Sequence, residues 1–190
     1  METKVEDRRI RRTKKLLRQS LAELMSEKEF KDITVKEITD RVDLNRATFY
    51  LHYCDAHDLL EKIENDLISD FESMIDDYHP TKEDRSAFLI INQVFDYISS
   101  NAEICKTMII HNPSFIQKLT DVIISKGFEV QKSFSCSHLK QSKKQSEYKF
   151  YFLACGIMGI VKKWFINNMD IPIKEMVQMI DSFIVHSDIF

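Results

Sequence analysis

Residues that break regular structure are rare in this chain, which has only three glycines and three prolines among 190 residues. A protein built from many short strands needs frequent turns, and glycine and proline are the usual turn residues. No segment of five or more residues alternates cleanly with period two between turn signals. Apolar residues instead recur at spacings of three and four, as on one face of a helix. The sequence therefore predicts an all-α fold of about nine helices.

Capping signals divide the first third of the chain into short helices. The first predicted helix runs from about Arg8 to Ser26. Thr34, followed three residues later by Glu37, forms a capping box that starts the second helix. Asn45 is a good N-cap for the third helix, which we expect to end near Tyr53. Three helices in so short a segment predict a small N-terminal unit.

The loop between the second and third predicted helices consists only of Asp43 and Leu44. Such a tight turn makes two short helices cross steeply, which is the arrangement of a helix-turn-helix. Phe49 and Tyr53, four residues apart, would face inward onto the first two helices. The outer face then combines side chains of the kinds that contact base edges and phosphates. That face is formed by Ala47, Thr48, Tyr50 and Leu51, with Arg46 and His52 at its flanks.

Charge is distributed unevenly along the chain. The formal net charge is −3, which for a whole chain argues against binding to nucleic acid. Between Arg8 and Arg18, however, there are seven basic residues and no acidic residue. Such a block is either a footprint for DNA phosphates or a solvated helix face. The charge alone leaves both interpretations open.

The rest of the chain predicts a larger helical body. Asp55 caps a long fourth helix, and the polar stretch from Ser135 to Ser146 is predicted as a loop. The other predicted helices run from about Arg85 to Ser100, from Asn101 to before Asn112, from Pro113 to about Phe134, from about Glu147 to Asn168, and from Pro172 almost to the C-terminus. We expect a helix-turn-helix DNA-binding domain at residues 1–55 and a helical regulatory and dimerisation domain at residues 56–190.

Three motifs in the first third carry a specific resemblance. They are F-K-D-I-T-V-K-E-I-T from Phe30 to Thr39, A-T-F-Y-L-H-Y from Ala47 to Tyr53, and D-L-L from Asp58 to Leu60. With the leucine pattern of the first helix they resemble the tetracycline-repressor (TetR) family of bacterial regulators, over about Arg8 to Ile63. The resemblance implies that a homodimer binds a pseudo-palindromic operator in double-stranded DNA, with the third helix in the major groove.

By position, the resemblance assigns DNA contacts to Lys36 and Asn45 as well as to the outer face of the third helix. Ala56 stands where the family commonly has lysine at the start of the fourth helix, so one phosphate contact is missing. The implied function is transcriptional regulation, interpreted as repression with activation left open. The alternative is a helical protein-interaction module or an enzyme that has kept the fold without operator binding.

The C-terminal part resembles a TetR-like subgroup that includes activators of dihydroxyacetone kinase genes, through Val94–Leu119 and Gly156–Trp164. The family implies dimerisation through helices 8 and 9 and a small-molecule effector pocket in the core of helices 4 to 8. Gly156 and Gly159 each cost about 1 kcal/mol relative to alanine inside a helix, which predicts close contact with a partner helix. The residues expected to line the pocket are Met108, Phe128, Phe152 and Cys155.

Motifs for other classes of protein are missing from the sequence. No two of the four cysteines are spaced as a redox or zinc pair, and no histidine follows a glutamate by three residues. Glycine-rich nucleotide motifs and a catalytic set are absent. The longest apolar run is too short to cross a bilayer. We therefore expect a cytoplasmic protein that is not an enzyme, with no cofactor, no metal and no membrane partner.

Overall fold

The computed structural model describes residues 8–78, 87–134 and 143–185. Within these ranges the chain forms helices joined by short loops and no strand, so the all-α prediction of about nine helices is confirmed. The helices are α1 (Arg8–Glu27), a single 3₁₀ turn (Phe30–Asp32), α2 (Val35–Arg41), α3 (Arg46–Tyr50), α4 (Ala56–Asp76), α5 (Phe88–Ser100), α6 (Ala102–His111), α7 (Pro113–Phe134), α8 (Lys143–Ile166) and α9 (Ile173–Val185).

The first three helices pack around the apolar stripe of α1. Leu17 and Leu21 are completely buried, and Ile38 of α2 and Phe49 of α3 are buried beside them in one core. The hydroxyl of Ser20 donates a hydrogen bond of 2.7 Å to the carbonyl of Ile38, which ties α1 to α2. Because a hydroxyl buried without a partner would be costly, this bond also makes the burial of Ser20 tolerable.

α1 belongs to two packing surfaces at once. Besides α2, it packs extensively against α6, where the Thr107 hydroxyl donates to the carbonyl of Ala22 at 3.4 Å. Arg18 of α1 forms an ion pair with Asp66 of α4. The same buried core continues from the N-terminal helices into the body. The division at residues 55 and 56 therefore stays a prediction.

The body packs α5 against α9 and α7 against both α4 and α8. Glu64 of α4 is buried there, and its carboxyl group accepts hydrogen bonds from two donors. Asn112 Nδ2 donates at 2.6 Å and Lys118 Nζ at 2.5 Å. Trp164 is also buried, and its indole N–H donates to the carbonyl of Ile171 at 2.8 Å. These bonds satisfy polar groups that would otherwise destabilise the core.

Two helix boundaries differ clearly from the predicted ones. α3 ends at Tyr50, whereas the sequence predicted an end near Tyr53. α8 begins at Lys143, so the end of the predicted 135–146 loop is helical. Its lysines and glutamine are good helix formers, and their polarity alone did not make them a loop. The predicted start of the fifth helix at Arg85 lies outside the described residues, and so does the end of the ninth.

The length and hydropathy of the helices bear on membrane insertion. Crossing a bilayer takes about 20 predominantly apolar residues in one helix. No helix in the described part of the chain meets that requirement.

Candidate nucleic-acid interface

The start of α2 is fixed by the predicted capping box. The backbone N–H of Glu37 donates to Thr34 Oγ1 at 3.3 Å, and the backbone N–H of Thr34 donates to Glu37 Oε2 at 3.0 Å. Lys28 adds a bond of 2.6 Å to Glu37 Oε1. The donors from Lys28 and then Thr34 stabilise the charged carboxylate and lower the pKa of Glu37 to about 2. The first turn of α2 is therefore held from both sides.

The turn into α3 uses backbone geometry that the sequence indicated. Asp43 has a φ of 52°, in the left-handed region that aspartate tolerates better than most residues. The N–H of Leu44 returns to the carbonyl of Thr39 at 3.0 Å. Asn45 then caps α3, because its Oδ1 accepts the N–H of Ala47 at 2.8 Å. The short helix thus begins at a defined residue and in a defined direction.

The inner side of α3 is anchored in the core as predicted. Phe49 is fully buried and Tyr53 is 4% exposed, with ring centres 5.6 Å apart. On the outer side Leu51 is 79% exposed and Tyr50 57% exposed. Arg46 and Ala47 are exposed as well, whereas Thr48 and His52 are half-buried. The structure therefore leaves four of the six predicted recognition residues exposed and the other two partly accessible.

Two predicted contact residues carry positive charge that nothing in the described chain neutralises. Lys36 lies exposed on α2 and Arg46 lies exposed at the start of α3. Neither side chain has a hydrogen-bond or ion-pair partner among the described residues. By contrast, Arg41 at the end of α2 is bound by both carboxylate oxygens of Glu27, at 2.8 and 2.7 Å. Arg41 therefore supports the fold, while Lys36 and Arg46 remain available to a partner.

The start of α4 holds the end of α3 in place. Asp55 caps α4 by accepting the N–H of Asp58 at 2.8 Å. Lys62 forms an ion pair with Asp58 at 2.9 Å and donates to the carbonyl of His52 at 3.2 Å. Its ammonium also lies 5.2 Å from the ring centre of Tyr53. The lysine of this helix therefore serves the fold, and the first-turn position at Ala56 offers no cation.

The four residues predicted to line an effector pocket differ in how far they are buried. Met108 is fully buried, and Phe128 is half-buried with its ring centre 4.7 Å from that of Phe150. Phe152 is 76% exposed and Cys155 is exposed, both on the outer side of α8. These positions do not favour a shared lining. The lining stays a prediction that no observation tests.

Sequence reasoning missed a cleft of about 730 Å³ between α1 and the body. One wall carries basic residues of α1, and the opposite wall carries Asp66 and Asp70 of α4 and Tyr97 of α5. Tyr97 donates to Asp70 at 2.6 Å, and burial together with this bond raises the pKa of Tyr97. The basic residues are spaced three and four apart along α1, a signal that could have indicated a shared face.

A capped helix-turn-helix joined to an all-helical body is the architecture of one class of DNA-binding proteins. Residues 85–186, just over half of the chain, match the TetR-type family described as "Transcriptional regulator C-terminal region". The chain belongs to the TetR family of transcriptional regulators. The family prediction made from the N-terminal motifs is thereby confirmed through the opposite end of the chain.

Individual proteins agree with this assignment. An uncharacterised HTH-type transcriptional regulator of Bacillus subtilis (strain 168), YxbF, is 38% identical over 56 residues, which are 29% of this chain. The match spans only 15% of that relative's length. The dihydroxyacetone kinase operon activator DhaS shares the fold with a TM-score of 0.62 at 18% identity, over 92% of this chain and 94% of its own.

A second solved structure also shares the fold. It is the transcriptional regulator FadR from Bacillus subtilis, in complex with stearoyl-CoA. Its TM-score is 0.61 at 13% identity, over 90% of this chain and 97% of its own. At such identities the two neighbours show the fold alone.

Proposed function

We propose that this regulator binds operator DNA sequence-specifically, with α3 in the major groove. The observation that carries the proposal is the exposed face of α3, held rigidly from behind by buried Phe49. Arg46 can donate two hydrogen bonds to guanine, and Tyr50 can bond a phosphate or a base edge. Leu51, exposed by 79%, suits packing on a thymine methyl group. A helix of this composition is unusual as an ordinary surface.

Backbone anchoring would come from α1 and α2. Lys36 and the basic start of α1 provide charges that can neutralise phosphates. Since each neutralised phosphate releases counterions, binding should weaken steeply as salt concentration rises. Ala56 removes one such contact at the start of α4. We therefore expect ordinary reading of the groove with weaker anchoring at that helix.

We further propose that the functional unit is a homodimer formed mainly through α8. Its outer side carries large exposed rings, with Tyr148 and Phe152 both 76% exposed and Tyr151 50% exposed. The stripe continues through Gly156 and Gly159 to Ile166, which is 52% exposed. Contiguous exposed apolar surface of this kind is typical of a protein interface.

The two glycines support this face as the interface. A Cβ added at Gly156 or Gly159 would meet nothing within 4 Å in the described chain. The chain itself therefore supplies no contact that explains a glycine at either helical position, and a closely approaching helix of a second copy would supply one. In a two-fold dimer the same patch is used by both subunits.

α9 contributes less than its sequence suggested. Met176, Val177, Ile180 and Ile184 are buried in the chain's own core, where α9 packs on α5. Only Phe183, 49% exposed, and Val185, 52% exposed, extend its apolar surface outward. The proposed interface through helices 8 and 9 therefore rests chiefly on α8.

Operator binding is tested by fluorescence anisotropy with DNA from the chain's own upstream region. We expect the double variant Arg46→Ala, Tyr50→Ala to lose affinity by about tenfold or more, since each good base contact contributes about 1–3 kcal/mol. Lys174→Ala is the matched control, because it removes an exposed cation that lies on α9 and is not among the proposed DNA contacts. Repeating the titration at about 50 mM and 200 mM salt measures the phosphate contribution.

Equal affinity of the wild type and the double variant would refute the assignment of α3. Failure of the wild type to bind any DNA at the lower salt concentration would favour the alternative class, a helical interaction module or enzyme. The sign of regulation stays a prediction of repression. Transcript levels of neighbouring genes in a deletion strain decide it, since loss of a repressor raises them.

Dimerisation is tested by analytical ultracentrifugation of Phe152→Glu beside Leu89→Glu. Both replace a large exposed side chain, 76% and 71% exposed respectively, by the same charge. We expect only the α8 variant to sediment as a monomer, because only it places a charge in the proposed interface. Unchanged association of both variants would exclude the α8 face.

The third part of the proposal is a small-molecule effector. It is supported by the fold shared with FadR, whose structure contains stearoyl-CoA. An effector changes DNA binding only through a difference in its affinity for the two conformations of the protein. The measurement is operator affinity with and without stearoyl-CoA, and an unchanged affinity would exclude that compound as effector.

A further inference from the structure

We propose that the cleft between α1 and the body is a binding site for a small organic anion that carries a phosphate or carboxylate group. The cleft has a volume of about 730 Å³, within the range of about 300–1,000 Å³ usual for small-molecule sites. None of the four residues predicted to line an effector pocket lines this cleft. The proposal does not depend on operator binding.

The cationic wall of the cleft comes from one helix. Arg11, Lys14, Lys15 and Arg18 occupy successive turns on one face of α1, and all four line the cleft. Arg11 and Lys15 are exposed and have no hydrogen-bond or ion-pair partner among the described residues. Two cations without partners in one concave site would be stabilised by an anionic ligand.

The acidic wall is already largely satisfied by protein groups. Asp66 forms the ion pair with Arg18, and Asp70 accepts the Tyr97 hydroxyl at 2.6 Å. Glu103 is the third carboxylate of the lining. The two aspartates therefore do not need Arg11 or Lys15 as partners, which leaves this pair for a ligand.

Arg18 gives a second indication that the cleft binds an anion. Its Nε is buried without a hydrogen-bond partner in the described part of the chain, although its terminal nitrogen pairs with Asp66. A buried N–H without an acceptor destabilises a folded protein, and each such group calls for an explanation. An oxygen atom of a ligand beside Arg18 would supply the missing acceptor.

The rest of the lining determines the remaining chemistry of the ligand. It includes the apolar residues Ala22, Ile63 and Leu67, all of them buried. Ser100 and Asn101 add polar groups to the lining. An anion with a small apolar portion fits this combination better than an inorganic ion does. Such a ligand would also contact α1, the helix on which α2 packs, and α3 in turn packs on α2.

The test uses phenyl phosphate, benzoate and benzyl alcohol as probes, titrated into the full chain by isothermal calorimetry. The phosphate and carboxylate probes distinguish the two anion chemistries, and the alcohol is the uncharged control. We expect the double variant Arg11→Gln, Lys15→Gln to lose affinity for the preferred anion by about tenfold or more. Arg8→Gln, Arg12→Gln is the matched control: it removes two exposed charges at the same spacing of α1 outside the cleft.

We expect the control variant to keep its affinity within about twofold, and both variants to retain the circular dichroism of the wild type. An equal loss in the two variants would show nonspecific attraction to the basic helix and would overturn the proposal. Binding of benzyl alcohol as tight as that of the anions would overturn it too. Absence of binding by both anions up to about 10 mM, a very weak affinity, would do the same.

Discussion

α3 and α8 both expose large apolar side chains to solvent, yet they do so in different surroundings. Leu51 on α3 is 79% exposed and Phe152 on α8 is 76% exposed. Around Leu51 lie an unpaired arginine and a tyrosine hydroxyl, groups that donate hydrogen bonds. Around Phe152 lie two further aromatic rings and two glycines. The degree of exposure is therefore nearly the same, and the neighbouring side chains decide which partner each surface suits.

The two helices also differ in what holds them. α3 has five residues, and a helix of that length is not stable by itself. It depends on the cap from Asn45, on buried Phe49 and on the contacts of Lys62 from α4. α8 has 24 residues and packs on α6 and α7 along its buried side. The first surface is thus presented by tertiary contacts, whereas the second is presented by a long helix.

The largest expected effect comes from truncating one phenylalanine in each helix, which tests whether the two rings stabilise the protein in different ways. We expect Phe49→Ala to lower the free energy of unfolding by about 3–5 kcal/mol, because it empties a fully buried site. Phe152→Ala should act only through association, so that its effect depends on protein concentration. Urea unfolding at two protein concentrations, with exposed Leu89→Ala as control, separates the cases. A large, concentration-independent loss for Phe152→Ala would contradict the exposed placement of that ring.

The N-terminal helices could be predicted closely because their determinants are local. Thr34, Asn45 and Asp55 each cap the helix that follows. Short polar side chains of this kind are the preferred N-cap residues, so the sequence predicts these helix starts. The left-handed residue at Asp43 follows from the length of the turn. The inward position of Phe49 follows from helical spacing. Each of these inferences needs only residues within a few positions of one another.

The orientation of α8 and the cleft could not be predicted in this way. Around Phe152 the helix is apolar on every side, with Phe150, Tyr151 and Leu153 as neighbours, so periodicity does not distinguish a buried from an exposed face. Phe150 is buried and Phe152 is exposed because of where α7 lies. The cleft combines residues of α1 with Asp66 and Tyr97, and such long-range proximity leaves no local pattern.

Glycine substitution sharpens the comparison at the α8 surface. Within one chain, Gly159→Ala adds a Cβ that meets no atom within 4 Å and should favour the helix by about 1 kcal/mol. In the proposed dimer the same methyl group would crowd the partner helix. We expect it to weaken association by about 1–3 kcal/mol, the usual cost of overpacking. Sedimentation equilibrium measures the dissociation constant of the dimer directly.

Gly127→Ala is the contrasting control for this experiment. Its added Cβ would lie 2.7 Å from the Phe150 ring of the same chain, so it should destabilise each chain by itself. Association that is unchanged or stronger in Gly159→Ala, together with a raised melting temperature, would show that no helix of a second copy approaches there. That outcome would leave α8 exposed in solution and remove its contrast with α3.

The smallest effect concerns the acid dependence of the capping box that starts α2. Glu37 has a pKa of about 2 in the folded protein, below its ordinary value of 4.5, because Lys28 and Thr34 donate to its carboxylate. A lowered folded pKa means that this stabilisation is complete above pH 4.5 and is lost as pH falls towards 2. We expect Glu37→Gln to unfold with a shallower loss of stability across that window than the wild type.

The measurement is urea unfolding from about pH 6 down to about pH 3, with the difference between variant and wild type plotted against pH. Glu175→Gln is the matched control, because Glu175 occupies the same third position of α9, lies exposed and has no capping partner at Pro172. The free energy of unfolding of the control variant should fall with decreasing pH at the same slope as that of the wild type. Equal slopes for both variants would mean that Glu37 contributes no acid-labile support to the helix-turn-helix, which would then depend on its other contacts, among them those of Asn45, Phe49 and Lys62.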